Sequence, residues 1–124
     1  MRQADALAQA HGARLCIVHV MVPPMVDPYD AVMIAPHIDP ANGRRALADF
    51  VRKLGLKTDA EQVVVLGLAD QEIVATAQAR QADLIIVSNT GMSTAGRLLL
   101  GSVADKVVRS AHAPVLVHRV PVAR

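Results

Sequence analysis

DLIIVSNTGMSTAGRLLLGS, residues 83–102, opens with a short apolar run, passes through a glycine- and hydroxyl-rich loop, and closes on a Gly-Ser pair that begins a helix. Leu84, Ile85, Ile86 and Val87 have the length and branching of a strand buried on both faces. Gly91, Gly96 and Gly101 leave the main chain open to close approach by a ligand. Ser102 is the expected N-cap of a helix through Val103, Val107 and Val108. Free N–H groups in a loop, followed by a helix N-terminus, suit a bound anion. Strand, anion-friendly loop and capped helix together make the layout of a nucleotide site.

The bulk properties narrow the alternatives. A chain of 124 residues fits one domain, and 52% apolar residues are ample for one packed core. Tyr29 and Phe50 are the only aromatics, so Val, Leu, Ile and Ala must fill that core. Their scarcity also removes the stacking platforms on which single-stranded nucleic acids are held. The net charge of +2 is spread along the chain without a run of like charges, which argues against nucleic acid as a partner. Cys16, the single cysteine, lies in the apolar run LCIVHV and reads as a small buried hydrophobe in a reducing compartment. No apolar stretch approaches the roughly 18 residues of a membrane span, and MRQADALAQAHG has no signal-peptide core. The expectation is a soluble cytoplasmic protein without a membrane partner.

Residues 1–11 read as a helix closed by Gly12, and Arg14 to Val22 as a buried strand. Pro23 to Pro40 holds five prolines and reads as a surface excursion. Asp39-Pro40 is an N-cap followed by a first-turn proline, and it leads a helix in which Ala46, Leu47, Phe50, Val51 and Leu54 recur at helical spacing before Gly55 ends it. Ala60 to Leu66 is the next strand, Asp70 caps a helix with Ile73, Val74 and Ala77 inward, and Leu84 to Val87 is the third strand. The Ser102 helix runs to about Ala111, and Pro114 to Val120 is the last strand. Strands alternating with helices long enough for right-handed crossovers predict an α/β fold, an open parallel sheet with helices on both faces.

Gly91 to Gly96 followed by Arg97-Leu98 has the outline of a P-loop but lacks its Lys and its Ser or Thr, so the lysine and the magnesium-holding hydroxyl are both missing. A better match is Ser88-x-x-Gly91, nine residues, then Gly101-Ser102. With the GARLCIVHV strand, the QADLIIVSNTG strand and loop, and RLLLGSVADKVVRSAHAPVLV in the same order, nearly the whole chain resembles the universal stress protein family. The resemblance implies a Rossmann-like domain of the adenine-nucleotide hydrolase-like group that binds ATP or AMP, with magnesium held through the nucleotide. It implies that Gly91, Gly101, Ser102 and Val103, with Val87 and Ser88 at the end of the preceding strand, hold the phosphates and ribose, and that Val20 touches the adenine. Arg97, within the loop, reads either as a phosphate contact or as a solvated arginine.

The sequence departs from that family pattern in two places. Ser88 stands where the binding motif's first glycine would be. The family's first strand, its turn and the start of the first helix, about 20 residues, have no counterpart, so residues 1–124 read as one N-terminally truncated domain. The resemblance implies a strand order of 3-2-1-4-5 in which that strand is central. Its loss leaves neighbouring backbone edges unpaired, at roughly 1–3 kcal/mol for each buried unsatisfied group. The last strand is a sheet edge, and the resemblance implies a homodimer paired there through Val115, Leu116 and Val117. None of the five histidines forms a metal-like pair, Gly-x-Ser-x-Gly does not occur, and Asp70 and Asp105 read as a helix cap and a solvated helix face. No residue is assigned to catalysis, and slow ATP hydrolysis is the most the chain would do. Two functional readings stand beside nucleotide-linked stress regulation: a dimeric interaction module that binds no nucleotide, and an enzyme of the wider hydrolase-like group.

Overall fold

The computed structural model describes residues 1–22, 39–89 and 101–119, arranged in two compact units, 1–68 and 69–124. In the first unit, α1 (Arg2–His11) and β1 (Leu15–Met21) are followed by α2 (Pro40–Leu54) and β2 (Ala60–Leu66). In the second, α3 (Ala69–Ala79) and β3 (Ile85–Ser88) are followed by α4 (Ser102–Ser110) and β4 (Val115–His118). The fold is α/β with parallel strands, as the alternation of elements predicts.

Local chemistry sets most of the boundaries. Gly12 and Gly55 take left-handed angles (φ 60° and 61°) after α1 and α2, where a side chain would be strained. The Asp39 carboxylate accepts the Ala41 N–H at 2.9 Å, and Pro40 occupies the first turn of α2. Three expectations are corrected. Ser102 is the first residue of α4 rather than its cap; Gly101, extended at φ −60° and ψ 155°, takes the cap position and contributes no side-chain hydrogen bond. Asp70 lies inside the first turn of α3, where its charge favours the helix dipole without capping it. The third strand is shifted by one residue, excluding Leu84 and including Ser88.

The inward stripe of α2 also differs from the expected one. Gly43 and Leu47 are buried, Val51 and Leu54 half-buried, whereas Ala46 is exposed and Phe50 remains 49% exposed. Positions 43, 47, 51 and 54 share one helical face at 3.6 residues per turn; Ala46 is turned off it, and Phe50 stands at its edge beside Gly43. Gly43 sets how near the helix lies to the strands: a Cβ built there would stand 2.7 Å from Met21 Sδ and 3.0 Å from Val64 Cγ1.

β1 and β2 pair in parallel from Leu15 opposite Ala60 to Met21 opposite Leu66, and the Gly67 N–H extends the ladder to the Met21 carbonyl at 3.0 Å. β3 and β4 pair in parallel from Ile85 opposite Val115 to Ser88 opposite His118. Each pair forms a two-stranded sheet within its own unit. The first unit buries Ala8, Ile17 and Leu47, the second Ile85, Ala104 and Val107, of which Val107 is wholly inaccessible. Aliphatic residues fill both cores, as the composition requires.

Candidate functional site

The described candidate residues fall into three groups. Val20 lies one residue before the end of β1, half-buried and opposite Val65. Val87 and Ser88 end β3, the first half-buried and the second exposed. Gly101, Ser102 and Val103 form the start of α4, with Gly101 buried and the other two exposed. Gly91 and Arg97 lie outside the described residues.

Backbone direction distinguishes two of these positions. In a parallel strand the N–H and C=O of one residue point to the same side, and successive residues alternate. The Met21 carbonyl accepts from Gly67, so the polar backbone groups of Met21 face β2 and those of Val20 face the opposite edge. The Ile85 N–H donates to the Pro114 carbonyl at 2.9 Å and the Asn89 N–H to the His118 carbonyl at 3.1 Å. Ile85, Val87 and Asn89 therefore face β4, leaving the N–H and C=O of Ser88 on the other edge. In α/β folds, the carboxyl ends of parallel strands are where ligands bind.

The start of α4 has the electrostatics of an anion site. The first N–H groups of a helix have no intrahelical partner, and the helix dipole adds partial positive charge there. The cap residue of α4, Gly101, has no side chain to spend on the first turn, and the first main-chain bond runs from the Asp105 N–H to the Gly101 carbonyl at 2.8 Å. Asp105 brings a negative charge to the same turn, and Arg109 answers it, its Nε lying 3.1 Å from both carboxylate oxygens. That i,i+4 ion pair makes Asp105 the solvated helix-face residue expected from its position.

Sequence reasoning passed over two residues near the end of β3. Asn89 is 3% exposed, although asparagine in a loop is normally solvated. His118 is half-buried directly across the ladder from Ser88. An asparagine immediately after a buried strand was the available signal for the first; the register of β4 against β3 was needed for the second. A hollow of about 180 Å³ lined by Val74, Ala77, Ile85 and His112 lies at the other end of β3, away from the carboxyl end that α/β ligands use. Among the described residues, no group of three His, Cys, Asp or Glu side chains is placed to hold a metal ion. No helix among them is long and apolar enough to cross a membrane.

Residues 1–119 match the sequence profile of the universal stress protein family, and the chain belongs to that family. It is 34% identical over 119 residues to a Thermus aquaticus protein named "universal stress protein in QAH/OAS sulfhydrylase 3′ region", covering 94% of this chain and 85% of that one. It is 47% identical over 55 residues to the universal stress protein MJ0531 of Methanocaldococcus jannaschii, covering 44% of this chain but only 32% of that longer protein. Among solved structures, a universal stress protein in complex with cAMP superposes with a TM-score of 0.64 at 30% identity, over 95% of this chain and 83% of the other.

Proposed function

We propose that residues 1–124 form one domain of a cytoplasmic stress-response regulator that binds an adenine nucleotide, ATP or AMP, at the carboxyl end of β3 and the start of α4. The observation that carries this reading is the α4 N-terminus: a buried glycine at the cap, which has no side chain to occupy the first-turn N–H groups, and an exposed Ser102 beside them. The cAMP complex of a 30% identical relative supports an adenine nucleotide as the ligand class. Val20, Val87, Ser88, Gly91, Arg97, Gly101, Ser102 and Val103 are the proposed contacts, with magnesium carried on the phosphates. No side chain is assigned a catalytic role, and the function is regulatory binding.

Substituting Ser102→Pro tests the site. Proline is tolerated at the first helical position, and the extended angles of Gly101 suit the residue before a proline, so the helix should persist while one N–H is lost. A charge-assisted hydrogen bond contributes about 1.5–3 kcal/mol, so ATP affinity should fall about tenfold or more at unchanged stability of the unliganded protein. At 100 times the dissociation constant, ATP should stabilise the wild-type fold by about 2.7 kcal/mol in thermal denaturation. Absence of any shift at millimolar ATP would instead favour a dimeric interaction module. The 38% exposed Leu116, on the edge strand β4, is the feature that favours that second reading.

A further inference from the structure

β4 runs Val115, Leu116, Val117 and then His118. Strands paired in a parallel sheet are ordinarily filled with branched apolar residues, and a fourth such residue would continue this pattern. An imidazole is therefore not a packing requirement at the strand's end. Its register partner is Ser88, the last residue of β3. Residues opposite each other in adjacent strands project to the same face, with the strands roughly 5 Å apart. A hydroxyl and an imidazole thus stand side by side at the carboxyl end of the β3–β4 pair.

The pair is held at one level by the main chain. Beyond it, the Asn89 N–H donates to the His118 carbonyl at 3.1 Å, so the ladder continues past both residues instead of fraying at them. Ser88 is exposed and His118 half-buried, which leaves the hydroxyl accessible and gives the ring a supported side. The glycine-rich stretch of sequence that contains Gly91, Gly96 and Gly101 follows this level in the chain.

We propose that Ser88 and His118 form a two-point hydrogen-bonding pair for phosphate oxygens of the nucleotide, an inference that rests on the nucleotide-binding reading of this site. The Ser88 hydroxyl supplies a rotatable donor and the His118 ring an N–H donor in a nearly fixed direction. Two donors one strand spacing apart match two oxygens of a phosphate group, whereas the helix start at Ser102 supplies main-chain donors of a different kind. His118 is then a specificity-determining residue for the phosphorylated ligand, supplied by the neighbouring strand.

Isothermal titration of the full chain with ATP and with adenosine tests the pair in wild type, Ser88→Ala, His118→Val, His118→Gln and the Ser88→Ala/His118→Val double variant. Each of the first two substitutions should weaken ATP binding roughly fivefold or more while leaving adenosine binding unchanged. The double variant should lose less than the product of the single losses, because both residues serve one group. His118→Gln, which keeps a donor, should recover part of the affinity and guards against misfolding of the valine variant. Wild-type ATP binding with an unchanged constant in His118→Val, or equal losses for ATP and adenosine, overturns the pair alone. A wild-type protein that binds no ATP overturns the nucleotide reading and the pair with it.

Discussion

The carboxylate of Asp5, near the start of α1, accepts the main-chain N–H of Thr58 at 2.8 Å across a separation of 53 residues. Its other oxygen accepts the Lys57 N–H at 3.0 Å, so one buried side chain fastens the first helix to the segment that leads into β2. The Lys57 N–H is the main influence holding the Asp5 carboxyl below its ordinary value of 3.8; the Thr58 hydroxyl, the Thr58 N–H and the Gln9 side chain act in the same direction, and desolvation opposes them. A depressed folded-state pKa contributes stability that is present above the unfolded value and lost as pH falls through the folded one. Thermal unfolding of wild type and Asp5→Asn should therefore show a gap of several degrees at neutral pH that narrows only below about pH 4. A gap that stayed constant into strong acid would remove the carboxylate's charge from the explanation.

Gly43 governs the approach of α2 to the strands. Replacing it with alanine gains about 1 kcal/mol of helix propensity, but the new methyl meets Met21 Sδ at 2.7 Å and Val64 Cγ1 at 3.0 Å. Overpacking costs about 1–3 kcal/mol, and Val64 has no flexible end to withdraw, so Gly43→Ala should be destabilising by about 1 kcal/mol in urea unfolding. In a Met21→Ala background the closer of the two clashes is gone while the approach to Val64 remains, and the destabilisation by the same change should shrink. Additive effects of the two substitutions would mean that the helix does not rest on Met21.

Local signals made most of the architecture readable. Gly12, Gly55 and Asp39-Pro40 mark helix ends through backbone angles and cap hydrogen bonds that involve only near neighbours. The branched runs around Val63 to Val65 and Ile85 to Val87 mark strands by the same local logic. Asp5 carried no such signal, because its partners lie more than fifty residues away and nothing in RQADALAQAH distinguishes a clamping aspartate from a solvated one. At the site, Ser102 was read as a cap because serine prefers that position, yet the buried Gly101 holds it. The pairing of His118 with Ser88 was likewise hidden, since register between strands thirty residues apart is a tertiary property.

Gln81 is the one non-glycine residue with positive φ among the described residues, at 52°. It ends α3 in a Schellman arrangement: its N–H donates to the Gln78 carbonyl at 3.1 Å, and the Ala82 N–H to the Ala77 carbonyl at 2.9 Å. A side chain in this conformation costs roughly 1–2 kcal/mol, which glycine avoids while giving back about 0.4–1 kcal/mol in unfolded-chain entropy. Gln81→Gly should therefore be stabilising by about 0.5 kcal/mol or more, and Gln81→Val, branched at Cβ, should be destabilising. Chemical denaturation that ranked valine above glycine would show that α3 ends in some other way.

The edge of β4 offers a test of the proposed homodimer that spares the fold. Because the carbonyls of Pro114 and His118 accept from β3, the polar backbone groups of Leu116 also face β3 and those of Val115 and Val117 face outward. Proline at 117 removes an outward N–H, the kind of donor a second copy of the chain would use, while the ladder to β3 keeps its bonds. Proline at 116 removes a donor directed at β3 and should unfold the pair. Light scattering should accordingly report a dimer for wild type and a folded monomer for Val117→Pro, with circular dichroism preserved in that variant and lost in Leu116→Pro. A Val117→Pro protein that kept the dimer mass would move the interface away from this strand, whatever the exposure of Leu116.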